Sequence, residues 1–144
     1  MTESVLKVEN LQTHFFTKAG VVKSVDDVSF EIGRGKVMGL VGESGSGKSV
    51  SGFSIMGLVD PPGRVVGGRI LYRGRDLVGL PEGEMRKIRG RHIAMIFQDP
   101  MMTLNPVLRI DTQMIETILA HEDVDRETAR QRSRDALGQV GIPS

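Results

Sequence analysis

The sequence predicts an α/β fold, and three observations carry that prediction. Apolar residues alternate with polar ones through residues 5–9 and 25–32, the pattern of half-buried antiparallel strands. A mostly apolar run at 36–41 leads through the glycine-rich loop Gly42-Glu43-Ser44-Gly45-Ser46-Gly47 into a stretch with helical spacing. Two further helical stretches then close the chain.

Taken in order, the opening strands form a small β layer, and Gly33-Arg34-Gly35 turns the chain into the run at 36–41. That run reads as a central strand covered on both faces. From Lys48 to Leu58, the apolar positions Val50, Phe53, Ile55, Met56 and Leu58 fit a helix imperfectly, and Asp60-Pro61-Pro62-Gly63 stops it. Residues 69–72 read as a short strand, and 81–89 as a short helix closed by Gly90. Residues 93–97 form a second buried-strand candidate, broken at Gln98-Asp99-Pro100. Ile110, Met114, Ile115, Ile118 and Leu119 make one helical stripe. Ala129, Ala136, Leu137 and Val140 make a weaker one, stopped by Gly141 and Pro143.

Composition narrows the functional classes. With 144 residues and 39% hydrophobic content, the chain makes one domain and no second one. Nineteen Lys plus Arg against 18 Asp plus Glu leave a net charge of +1, so no broad basic field attracts nucleic acid, and any anion must be held by a local site. The absence of cysteine excludes disulfides, a thiolate nucleophile, Cys-ligated zinc and iron–sulfur clusters, and suits a reducing compartment. His14, His92 and His121 have no metal or catalytic spacing. The N-terminus lacks the pattern of a secretory signal, and no apolar run approaches the roughly 20 residues of a membrane span.

The loop itself carries the chemistry. Residues 42–49, Gly-Glu-Ser-Gly-Ser-Gly-Lys-Ser, match G-x-x-x-x-G-K-[ST] in full, between an apolar run and a helix. The glycines let the backbone curl around a polyphosphate, so that successive N–H groups and the positive end of the helix dipole converge on one anion. Gly45, Ser46, Gly47 and Lys48 supply the cradle, with Gly42 and Ser44 in the same binding loop. Lys48 places its ammonium on the terminal phosphates of ATP, and the Ser49 hydroxyl ligates Mg²⁺. A bare strand-to-helix turn would need neither the lysine nor the hydroxyl.

A phosphate loop does not by itself choose among kinases, GTPases and transport ATPases. One reading makes Asp99 the Mg²⁺ aspartate of a kinase or GTPase, since an acidic residue after an apolar strand occupies that place; Gln98 before it and Pro100 after it weigh against this. The other rests on resemblance. The loop at 42–49, Phe-Gln-Asp-Pro-Met at 97–101 and Leu-Asn-Pro at 104–106 resemble the nucleotide-binding subunits of ABC transporters, in the dipeptide and oligopeptide importer branch that also holds nickel and glutathione importers. Residues 24–30, 54–58 and 141–143 match as well, so the resemblance covers nearly all of 1–144.

The resemblance implies an ABC-type P-loop ATPase core with an antiparallel β subdomain and the start of a helical subdomain, incomplete at its C-terminal end. Gln98 becomes the glutamine that contacts Mg²⁺ or the attacking water and, with Lys48, acts at the reacting phosphate. Phe15 falls where an aromatic stacks on adenine, with Phe16 as its neighbour and fallback. The segment 101–109, which opens on Met101 and closes on Arg109, corresponds to the surface that meets the transmembrane permease subunits. A second ATP-binding subunit is implied as partner in a head-to-tail dimer, at the cytoplasmic face of the membrane. The family's Leu-Ser-Gly-Gly-Gln signature, its Asp-Glu strand and its switch histidine do not occur in this sequence. A non-hydrolytic nucleotide-binding fragment is therefore the first alternative to a working transport ATPase. The missing strands also imply exposed apolar faces and an aggregation-prone chain.

Overall fold

The computed structural model describes residues 3–99, 101 and 103–142; Met1, Thr2, Pro100, Met102, Pro143 and Ser144 lie outside the described residues, and with them the Pro143 stop signal. The chain divides into two units, at residues 89 and 90.

In the first unit, β1 (Ser4–Thr17) and β2 (Gly20–Gly33) form a long hairpin, joined by β3 (Gly63–Tyr72) and the two-residue β4 (Arg75–Asp76). Every pairing is antiparallel, in the order β2-β1-β3-β4. The strands extend well past the alternating cores at 5–9 and 25–32, because the pairing slips where the alternation breaks. Asn10 and Asp27 sit at positive φ, 49° and 58°, which short polar side chains tolerate. Asn10 Nδ2 donates to Asp27 Oδ1 at 2.7 Å, and the Asn10 N–H donates to Ser29 Oγ at 2.8 Å. This bulge re-aims the second half of the hairpin. Val8, Leu11, Val25 and Ile70 form the buried sheet core, with Leu77, Met85 and Ile88 beyond it.

Of the apolar positions read from sequence, helix α1 (Lys48–Met56) buries Met56, leaves Val50, Phe53 and Ile55 half-buried, and instead buries Ser51 and Ser54. Two serines three positions apart let the helix approach β1 closely. Their hydroxyls are satisfied by the carbonyls one turn back, Gly47 at 3.0 Å and Val50 at 2.7 Å, and Ser54 Oγ also lies 2.7 Å from Thr13 Oγ1 on β1. The helix stops two residues before Leu58. Gly57, at φ 61°, closes it, and the Leu58 N–H reaches back to the Phe53 carbonyl at 2.8 Å. Helix α2 (Glu82–Ile88) follows within 81–89 as expected.

The second unit holds α3 (Ile110–Leu119) and α4 (Arg126–Gln139), with Ile115, Ala129 and Ser133 buried. Asp125 caps α4 by accepting the Thr128 N–H at 2.7 Å, which also holds its carboxyl below the ordinary range.

The two apolar runs read as central strands, 36–41 and 93–97, do not form strands. Composition reports that a segment suits a buried parallel strand, but a strand also needs a lateral neighbour for its N–H and C=O groups. Neither run is part of a described sheet. Their side chains are left in solvent: Val37 is 100% exposed, Val41 90% and Ile96 95%. The isolated chain is therefore expected to self-associate and to bind a hydrophobic dye, measured by sedimentation across a concentration series. A single cooperative unfolding transition from a monomer would contradict this.

Candidate functional site

Gly47 is the pivot of the loop. It is buried, and its φ of 90° and ψ of 6° put it in the left-handed region immediately before Lys48, the first helical residue. A Cβ at this position would overlap the carbonyl oxygen of Ser24 on β2. Backbone conformation and close approach thus both require glycine here. Gly42 is the second tight position, since a Cβ there would overlap Ser46 Oγ.

Beyond Gly47, the first-turn N–H groups of α1 have no intrahelical acceptor, and the turn holds no acidic side chain to oppose an anion. The Lys48 ammonium bends back over the loop, donating to the Gly42 carbonyl at 2.7 Å, the Glu43 carbonyl at 2.6 Å and Ser46 Oγ at 3.3 Å. The Ser46 N–H is engaged by the Glu43 carbonyl at 3.2 Å. Ser44, Gly45, Ser46 and Ser49 are all exposed. First-turn N–H groups without intrahelical acceptors, one cation and the exposed Ser49 hydroxyl suit a polyphosphate. For magnesium, the loop offers the Ser49 oxygen, and among the described residues no three His, Asp or Glu converge on a metal position. A magnesium ion here would take its remaining ligands from phosphate and water.

Helix α1 is anchored by a residue that sequence reasoning missed. Arg89 donates from Nε to the Met56 carbonyl at 2.7 Å and from Nη2 to the Gly57 carbonyl at 2.8 Å. Its Nη1 donates to Glu82 Oε1 at 2.6 Å, which holds the Glu82 carboxyl below the ordinary carboxylate range.

Phe15 on β1 is half-buried against β3. A Cβ on Gly63, its register partner, would lie 2.5 Å from Phe15 Cε1. Its partner on β2 is Val22, two residues from the Ser24 carbonyl that touches the loop, a separation of about 7 Å along an extended strand. Phe16 is more open, with the Arg64 guanidinium 4.4 Å from its ring centroid.

In the second unit, Gln98 is exposed, and Asp99 Oδ1 accepts the Met101 N–H at 3.1 Å, a local turn contact. Apart from Met102, the segment 101–109 is described and strongly apolar at its surface, with Met101 78% and Val107 88% exposed. Gln113 on α3 fixes it, accepting the Asn105 N–H at 2.9 Å and donating to the Asn105 and Leu108 carbonyls at 3.1 Å each.

Comparison with known proteins places this geometry. The ABC transporter family model matches residues 25–144. The chain belongs to the ABC transporter family. Within the family, it is 46% identical over 140 residues to the dipeptide transport ATP-binding protein DppD of Escherichia coli K12, covering 97% of this chain and 43% of that protein. It is 44% identical over 140 residues to the oligopeptide transport ATP-binding protein OppD of Bacillus subtilis 168, covering 96% and 39%. The chain thus spans about two-fifths of the length of these curated relatives. Among solved structures, the dimeric ABC transporter cassette MJ0796 superposes with a TM-score of 0.79 at 22% identity, over 92% of this chain and 56% of that one. The cassette cbiO1 of Clostridium perfringens superposes at 0.66 with 25% identity, over 97% and 51%. These confirm the ABC ATPase fold class read from the sequence. No helix among the described residues is long and apolar enough to cross a membrane.

Proposed function

We propose that this chain is the nucleotide-cradling part of an ATP-binding subunit that drives import of dipeptides or oligopeptides. The observation that carries the reading is the loop at 42–49, with glycine enforced at 47, a lysine folded over it and a hydroxyl at the first turn of an acid-free helix. The peptide substrate class rests on the likeness to DppD and OppD.

In this reading, Gly45, Ser46, Gly47 and Lys48 donate to the phosphates of ATP, with Gly42 and Ser44 shaping the loop. Ser49 would hold Mg²⁺, which when bound would neutralise phosphate charge. Lys48 leaves its loop carbonyls for the terminal phosphate, where it stabilises the charge of the transferring group. Phe15, packed over Gly63, stacks on the adenine. Gln98 positions water or Mg²⁺ at the γ-phosphate and couples nucleotide state to the adjoining segment. The apolar surface at 101–109 meets the permease, and a second ATP-binding subunit completes a dimer at the cytoplasmic face of the membrane. Asp99 has a turn to cap, and nothing favours it as the metal ligand of a kinase or GTPase.

Lys48→Ala tests the site through the affinity for Mg-ATP: retained affinity would reject it. For Gln98, the expected result is a separation of effects. In the complete subunit, Gln98→Ala should sharply lower phosphate release while nucleotide affinity stays near that of the wild type, as read from a turnover assay and a titration. Equal loss in both would contradict the role given to Gln98.

A further inference from the structure

We propose that Arg89 is a positioning residue for the nucleotide site, its guanidinium holding the C-terminal end of α1 so that the other end stays aimed at the phosphates. The inference rests on the nucleotide reading of residues 42–49 and extends it to a residue more than thirty positions away from the helix end that it grips.

The last carbonyls of any helix lack intrahelical partners, and its C-terminal end favours a cation. Helix α1 has no basic residue in its own last turn. Arg89 supplies both needs from outside: one edge of its fork takes the Met56 and Gly57 carbonyls, and Nη1 is locked by Glu82. The side chain is 19% exposed, so the fork is held in place. Gly57 makes room for it, since a Cβ there would lie 3.1 Å from Nη2. A lysine could supply the charge without the planar fork.

Helix α1 has nine residues and is therefore about 14 Å long, short enough to move as one rod. Gly47 packs on Ser24 at its start, Ser54 meets Thr13 near its end, and Arg89 takes the last two carbonyls. Without Arg89, the rod is held only at Gly47 and Ser54 and can tilt about those contacts, turning its first-turn N–H groups off the phosphates. A misaimed donor loses the strength of a hydrogen bond steeply with angle.

The test is a titration of the complete subunit with a fluorescent ATP analogue in magnesium buffer. Arg89→Ala is expected to bind about tenfold more weakly, the equivalent of one lost hydrogen bond to a charged group. Arg89→Lys should fall between it and the wild type. Millimolar guanidinium should restore the affinity of Arg89→Ala, leave Lys48→Ala unrestored and leave the wild type unchanged. Wild-type affinity in Arg89→Ala, or a defect that guanidinium leaves in place, overturns the proposal. Should Arg89→Ala fail to fold by circular dichroism, a folded Arg89→Lys with full affinity overturns it equally. If Lys48→Ala binds as tightly as the wild type, the nucleotide reading itself fails; if only Arg89→Ala does, that reading stands and the role of Arg89 falls.

Discussion

Gly47→Ala is expected to abolish nucleotide binding and to destabilise the first unit together. An alanine at φ 90° costs about 1–2 kcal/mol for the left-handed backbone alone. Its Cβ also overlaps the Ser24 carbonyl oxygen, an atom of the sheet backbone that cannot rotate away. Forcing extra volume into a packed site costs about 1–3 kcal/mol more. The loop can relieve the overlap only by lifting α1 off β2, which moves the very N–H groups proposed to face the anion. Gly45 supplies the internal control. It has a similar φ of 80° but open space around it, so Gly45→Ala should show the backbone cost without the overlap. Urea unfolding and a nucleotide titration of the complete subunit carrying each substitution measure the difference. Equal destabilisation would show that contact with Ser24 does not set the geometry of the loop.

Lys48→Ala is expected to separate binding from folding. The ammonium is the only side-chain cation of the loop, and a hydrogen bond from it to phosphate is worth about 1.5–3 kcal/mol. Its loss corresponds to roughly 10- to 150-fold in affinity for Mg-ATP. In the structure, the same ammonium joins the Gly42 and Glu43 carbonyls, but these bonds are exposed, so water replaces them at little cost. Fold stability should therefore change by much less than the binding energy does. In the complete subunit, thermal unfolding without nucleotide and a titration with it form the pair of measurements. A large drop in stability with affinity retained would assign Lys48 to the architecture of the loop.

How legible the site was follows from what each residue needs. The loop at 42–49 could be read from sequence because its motif sets particular residue types at fixed spacing, and the structure enforces glycine at one of them, Gly47. The hairpin could be read through its alternation, yet its length was hidden where Asn10 and Asp27 take positive φ and the register slips. Helix α1 looked poorly amphipathic because its buried face carries Ser51 and Ser54, whose hydroxyls are paid in carbonyls of the helix itself. The runs at 36–41 and 93–97 were misjudged as strands, since apolar composition records suitability for burial and says nothing of a lateral partner. Arg89 gave no local signal at all. The carbonyls that it grips lie 33 and 32 residues earlier, and only folding brings them together.

Backbone amide shifts during a Mg-ATP titration of the complete subunit read the cradle residue by residue. The expected result is a saturable change concentrated at Gly45, Gly47, Lys48 and Ser49, and absent in Lys48→Ala at the same nucleotide concentration. Saturation at amides elsewhere, with those four unmoved, would show that the polyphosphate is held by some other surface.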